Sequence, residues 1–263
     1  MSNERIESQL NRKKNYKSVF TILFVLLCAY LSARATEFQF STLVMGATEM
    51  KNLIIEMWPP DMNHFKEVTE PMLDTIRMAV LGTTTGSILA LPVAFLCASN
   101  VFKSHWVFIP IRIILNVIRT IPDLLLASLF VAIFGIGEFS GILALSVLSF
   151  GIVAKLFYES LEGIDPGPLE AMTAVGANKA KWITYGVVPQ SIAAYFNYVL
   201  FTFEINIRAA AVLGLVGAGG IGLYYDQALG YFDYPKVTTL IIYTLVIVMV
   251  IDFVSKRVRR YFI

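Results

Sequence analysis

Among the charged residues that stand in apolar runs are two couples, Arg119 with Asp123 and Glu204 with Arg208. Each couple has i,i+4 spacing, which puts both members on one face of a continuous helix and lets each neutralise the other. In lipid, an ionised side chain near the bilayer centre costs about 2.5–3.5 kcal/mol on insertion scales, so all four should face protein or water. Two uses fit. One is structural, two ion pairs that hold a helix bundle together, either within a helix or across helices as Arg119 with Glu204 and Asp123 with Arg208. The other is a path for an anionic solute, to which Arg119 or Arg208 lends positive potential by exchanging its carboxylate partner for another group during opening.

A glycine-rich segment invites a different chemistry and fails it. Gly217-Ala218-Gly219-Gly220-Ile221-Gly222 matches G-x-G-x-x-G. A dinucleotide site needs a strand before it, a soluble helix after it and an acid about 20 residues on. Here an apolar helical run precedes it, and the acid nearest that distance, Asp233, stands in a loop before another apolar run. Gly217, Gly219, Gly220 and Gly222 read instead as a bend at the outer end of a membrane helix, a candidate part of an external gate. Cys28 and Cys97 each sit inside an apolar run, while His64 and His105 lie far apart in polar stretches. Their placement argues against a disulfide framework, a metal site or a cofactor. Clustered Ser/His/Asp or Cys/His residues, which a membrane-embedded enzyme would need, do not occur. Neither does the phosphate loop G-x-x-x-x-G-K-[ST], so the chain cannot itself hydrolyse ATP.

The elements that must position these residues follow from composition. The chain is 57% hydrophobic and 15% charged, with a mean hydropathy of +0.68. A soluble domain has about 45–50% apolar and about 25% charged residues. Lipid is therefore the solvent for much of this surface. A helical span needs roughly 20 mostly apolar residues, and runs of that kind lie at 18–33, 75–98, 107–135, 140–158, 188–214 and 237–254. No period-2 alternation recurs at barrel spacing, so the fold class is all-α, a polytopic bundle of about six transmembrane helices.

Lys and Arg set the direction of insertion. Residues 1–17 form a basic tail with Arg5, Arg12, Lys13, Lys14 and Lys17, and residues 255–263 a second with Lys256, Arg257, Arg259 and Arg260. Both tails belong in the cytoplasm, which demands an even number of spans. After the first helix at 18–33, the segment 34–74 then lies outside; Glu37, Glu49, Glu56, Asp61, Glu67, Glu70 and Asp74 outweigh Arg34, Lys51 and Lys66 there. The loop at Lys103 and the loop with Lys179 and Lys181 fall inside. The first run has a basic leader, and Ala33-Arg34-Ala35 is a small-x-small triplet, so a cleaved signal competes with a retained helix. Within 34–74, apolar residues at helical spacing over 45–58 predict an amphipathic helix at the outer surface, stopped by Trp58-Pro59-Pro60-Asp61. The core of five spans at 75–254 contains Thr83-Thr84-Thr85-Gly86-Ser87, a patch of small residues suited to close helix packing. Pro92 predicts a bend beyond it.

Residues 159–187, between the fourth and fifth spans, carry the most distinctive pattern. Asp165 or Gly167 can cap a helix with a proline in its first turn. Glu170 then favours the positive end of the helix dipole. Gly176 breaks the run, a second short helix is expected over 179–185, and Pro189 opens the next span. The result is a helix–turn–helix on the cytoplasmic side.

This loop resembles the cytoplasmic signature of ABC-importer permeases. Glu170-Ala171, then Gly176, then Pro189 carry the likeness, while Met172, Gly186 and Val188 depart from the residues usual there. Trp58-Pro59-Pro60-Asp61, Arg119-Thr120-Ile121-Pro122-Asp123, the stretch 163–170, the run Phe203 to Arg208 and the run Val212 to Gly222 are similar to the phosphonate-importer permease family. The resemblance implies a type I importer bundle in a bacterial inner membrane, with a coupling helix that docks on an ATPase subunit through Glu170, Ala171, Gly176 and Pro189. It also implies an extracytoplasmic solute-binding protein, and a cargo of phosphonate, phosphite or phosphate. ABC ATPases act as pairs and this chain carries one coupling loop, so a second permease copy is expected, a homodimer or less often a heterodimer. No nucleic-acid partner is expected. The alternatives are an ABC permease for another small solute such as an amino acid, and an ion-driven secondary transporter; folds of the latter kind show two related halves with broken helices, and no such repeat is visible.

Overall fold

A computed structural model describes residues 3–36, 38, 40–102 and 104–262. Glu37 and Lys103, both used in the charge argument, lie outside the described residues, as do the side chains of Arg5, Arg12, Lys13 and Lys14. All described elements are helices: α1 (Asn3–Ala35), α2 (Phe40–Glu56), α3 (His64–Cys97), α4 (His105–Thr120), α5 (Asp123–Phe134), α6 (Glu138–Glu162), α7 (Pro166–Ala174), α8 (Lys179–Lys181), α9 (Val188–Leu213), α10 (Ile221–Gly230) and α11 (Tyr234–Phe262). The chain divides into two compact units, Met1–Ile55 and Glu56–Ile263.

In the first unit, Tyr16–Ala35 is a helix long and apolar enough to span a membrane. The helix expected over 45–58 exists as α2, which starts earlier, at Phe40, and ends at Glu56.

In the second unit, α3, α6, the run Lys179–Val216 and α11 are also long and apolar enough to cross. α3 begins at His64 rather than at residue 75 and runs through Pro71 and Pro92 as one helix to Cys97. The third expected span is the main correction. It is two helices, α4 and α5, bent by 86° at their junction. The cause is local: a residue before proline is pushed out of the helical region. Ile121 (ψ 123°) and Pro122 (ψ 138°) are both extended. Counting that broken pair as one span, the described helices supply six.

α3 and α6 form the frame. A Cβ added at Gly86 would lie 2.3 Å from the Ser146 carbonyl oxygen, and one at Gly82 would lie 2.5 Å from Leu145 Cβ. The backbones therefore approach as only small residues allow, the use expected of the 83–87 patch. Thr85 Oγ1 and Ser146 Oγ share a hydrogen bond of 2.6 Å across this seam. α9 packs on both helices through a buried amide: Asn206 Nδ2 donates to Thr83 Oγ1 at 2.7 Å and to Ser149 Oγ at 2.6 Å.

At one end of the frame, Arg112 of α4 donates to the Cys97 carbonyl, at 2.6 Å from Nη2, and to the Glu162 carboxylate, which also accepts from Ser99. An orphan carbonyl of the α3 terminus is satisfied this way.

Candidate functional site

The loop that follows α6 is held to the bundle from several directions. Asp165 is the N-cap of α7, its Oδ1 accepting from Gly167 N at 2.9 Å, with Pro166 in the first turn. Glu170 stands just past that first turn, exposed, and Ala171 beside it is exposed too. Gly176 turns the chain with φ +69°, a left-handed conformation that glycine adopts without a Cβ penalty. The separate second helix expected over 179–185 is instead one α-helical turn, capped by Asn178 Oδ1 on Lys181 N at 2.9 Å, followed by a π-helical stretch Trp182–Val187. That stretch feeds into α9 with Pro189 in its first turn. The run from Lys179 through α9 is thus one continuous rod.

α7 is clamped onto the base of that rod. Leu169 is buried against Gly186, and a Cβ there would meet Leu169 Cδ2 at 3.1 Å. Gly186 therefore gives α7 its close seat. Trp182 Nε1 donates to the Leu169 carbonyl at 3.0 Å. Gln190 makes a two-way contact: its Oε1 accepts from Asp165 N at 3.1 Å and its Nε2 donates to the Gly186 carbonyl at 2.8 Å. Lys179 donates to the Val101 carbonyl and lies 4.1 Å from the Trp182 ring centroid. The exposed residues of α7 and its turn include Glu170, Ala171, Ala174 and Val175.

At the opposite end of α9 the glycine run forms a tight bend. Gly217, Gly219 and Gly220 have φ of +87°, +88° and +67°. Gly137 N donates to the Gly217 carbonyl at 2.9 Å, and Ile221 N to Thr75 Oγ1 at 2.8 Å. A Cβ at Gly222 would lie 2.2 Å from the Ala211 carbonyl oxygen, which packs α10 directly onto α9. What precedes the run is helix α9 and not a strand, and Asp233 accepts from Lys236 Nζ at 2.8 Å, a bond that holds its carboxyl below the usual range.

The four intramembrane charges are paired differently from the i,i+4 expectation. The break at Ile121-Pro122 separates Arg119 from Asp123, and among the described residues no ion pair joins them. Arg119 lays its aliphatic stem over Gly151 of α6, where a Cβ would meet its Cγ at 2.8 Å. Glu204 and Arg208 share a face of α9 but each reaches across to α11. Arg259 Nη2 donates to Glu204 Oε1 at 2.7 Å, and Arg208 Nη1 lies 3.7 Å from Asp252 Oδ2. Neither suggested cross-helix couple is an ion pair among the described residues, but Asp123 and Arg208 are both brought to one cavity. Both line a cavity of about 480 Å³ with Pro122, Leu124, Ile205 and Ala209. The helix break thus opens a cleft between α5 and α9 with one cation and one anion on its wall.

Two members of this arrangement, Asp252 and Arg259, are absent from the sequence-derived set. Asp252 had a signal: a lone acid in the apolar run 237–254 should be suspected on the same grounds as Glu204. Arg259 was counted with a basic tail, but α11 continues through Phe262 and carries it back to α9. Gln190 offered no signal, since its role depends on the fold of the preceding loop.

Residues 90–262 match the family described as binding-protein-dependent transport system inner membrane component. A phosphite transport system permease protein of Stutzerimonas stutzeri is 34% identical over 222 residues, covering 84% of this chain and 81% of that one. A phosphate-import permease protein of Mycolicibacterium smegmatis is 35% identical over 230 residues, 88% of this chain and 43% of that one. Among solved structures, a chain of the MetNI methionine ABC transporter in an inward-facing conformation superposes with a TM-score of 0.68 at 23% identity, covering 77% of this chain and 99% of that one.

Proposed function

The chain belongs to the family of binding-protein-dependent inner membrane transport components, and from that premise we propose that it is the permease subunit of an ATP-driven importer for a phosphorus oxyanion: phosphite, a phosphonate or phosphate. As a member of that family it is a multi-pass transport protein and not an enzyme, with the bundle of an ABC importer permease.

The observation that carries the proposal is the mechanical continuity from α7 to Arg208. A helix with an uncovered outer face is pinned by Leu169, Trp182 and Gln190 to the base of α9, and α9 carries Arg208 to the wall of the cleft. A partner that grips α7 through Glu170, Ala171 and the Gly176 turn can move the cleft wall without touching it. The partner is an ATPase dimer, docked on the side where Lys and Arg are concentrated. Cargo reaches the other face from a solute-binding protein, and a second permease copy completes the pathway. The glycine bend at Gly217, Gly219, Gly220 and Gly222 acts at the external gate. The phosphorus anion is suggested by the relatives' transport systems and by a guanidinium in the cleft, whose planar donors suit oxyanions. Asp123 on the facing wall keeps the cleft near neutral, so an anion is held weakly enough to leave.

The test is uptake by proteoliposomes containing the chain, its ATPase and its binding protein, with radiolabelled phosphite, phosphate and methylphosphonate. Uptake should require ATP and not an ion gradient. Glu170→Lys should leave ATP hydrolysis running while uptake falls at least tenfold. Normal uptake in that variant would remove α7 as the transmission element.

A further inference from the structure

Arg208 stands where the cleft adjoins an ion-pair seam. Along α9, Ile205, Arg208, Ala209 and Val212 recur at helical spacing and line the cavity. Glu204 and Arg208 share the adjacent face, turned toward α11. Arg208 belongs to both stripes and is the residue at which cleft and ion-pair seam meet.

The two ion pairs of the seam differ in kind. Glu204 and Arg259 are in direct contact at 2.7 Å, with side chains 10% and 25% exposed. Arg208 and Asp252 stand 3.7 Å apart, with side chains 52% and 29% exposed. That separation is beyond the length of a strong charge-assisted hydrogen bond, which is about 2.7–2.9 Å. The other oxygen of Asp252, Oδ1, is buried and has no hydrogen-bond partner. Asp252 therefore neutralises Arg208 without binding it well. Its carboxylate resembles an oxyanion in charge and acceptor geometry, and an arginine side chain on a flexible stem can turn from one to the other.

We infer that Asp252 occupies Arg208 when the cleft is empty and surrenders it to an incoming phosphorus oxyanion, so that Asp252 sets how tightly the permease holds its cargo. The inference rests on the anion-path reading above. It makes Asp252 a positioning residue: it acts on the cargo through Arg208. Glu204 and Arg259 remain paired throughout and keep α9 and α11 in register.

The experiment uses the full chain in lipid nanodiscs, titrated with inorganic phosphate, phosphite and methylphosphonate and followed by phosphorus NMR line broadening. Asp252→Asn should tighten binding about three- to fivefold, the scale of removing one partly exposed competing charge. Arg208→Gln should abolish binding, and the double variant should behave as Arg208→Gln. Asp252→Glu, which keeps the charge and extends its reach, should weaken binding and serves if the asparagine variant is poorly folded. Binding that is unchanged or weaker in Asp252→Asn, with wild-type binding intact and sensitive to Arg208, would overturn the role of Asp252 alone. If the wild-type chain binds none of the three anions, the anion path itself fails and the inference falls with it.

Discussion

Along α3 and α6 the backbones meet at Gly82 and Gly86, with hydroxyls as the polar contacts. Between α9 and α11 long charged side chains reach across, Glu204 to Arg259 and Arg208 toward Asp252, and a cavity lies on the α5 side of α9. The first seam has no slack, because a close-packed interface cannot shift without opening voids or clashes. The second is looser, with Arg208 and Asp252 3.7 Å apart and a cavity beside Arg208, so on the proposed function it can exchange partners. On the proposed function, the chain separates a fixed frame from a movable wall by the kind of residue at each seam.

The largest effect should come from filling the frame. Gly86→Leu places its Cβ against the Ser146 carbonyl, which is backbone and cannot swing aside. Overpacking costs about 1–3 kcal/mol, occasionally more, and this site should stand at the upper end. Thermal unfolding in detergent should show a large loss of folded protein. Gly46→Ala inside α2, where nothing lies within 4 Å of the added Cβ, should not destabilise and should gain about 0.5–1 kcal/mol from helix propensity. Comparable stability in the two variants would mean the frame is not tightly packed.

The charged seam should break in two distinguishable ways. Glu204→Gln leaves the shielded Arg259 without its carboxylate, and stability should fall by about 2 kcal/mol or more, since an orphaned, largely buried charge is costly. Arg208→Ala removes a half-exposed side chain, so stability should change by less than about 1 kcal/mol, while uptake falls at least tenfold with membrane insertion and complex assembly intact. Unfolding of the purified chain measures the first and vesicle uptake the second. If Arg208→Ala destabilised as much as Glu204→Gln and left uptake normal, both pairs would be structural.

How much of this was legible beforehand follows the same division. Spans and the cap at Asp165 are written locally, in apolar run length and in residues that bond within their own turn. The break at Ile121-Pro122 was legible in principle, because proline restricts its predecessor, yet continuous apolarity across 107–135 concealed it. Ion-pair partners were not legible. An i,i+4 spacing makes Glu204–Arg208 pairing possible, but each side chain instead found a partner more than forty positions away, on α11, which only tertiary packing brings beside α9. Charges identified Glu204 and Arg208 as important; only tertiary structure shows to what each is tied.

The smallest effect tests whether polar contacts help fasten the frame. Thr85 Oγ1 and Ser146 Oγ bond across it at 2.6 Å, but each hydroxyl also has a carbonyl in its own helix, Leu81 at 2.7 Å and Ile142 at 2.6 Å. Removing one hydroxyl therefore leaves the other satisfied, and valine keeps the shape of threonine. A double-mutant cycle of Thr85→Val and Ser146→Ala should give a coupling near 0.6 kcal/mol, the average found for such bonds between membrane helices. The cycle is read from unfolding of the four variants in the same detergent. A coupling above about 2 kcal/mol would show that the hydroxyl pair, and not backbone proximity at Gly82 and Gly86, fastens α3 to α6. The contrast between a packed seam and a bonded one would then be lost, because both seams would owe their cohesion to polar groups.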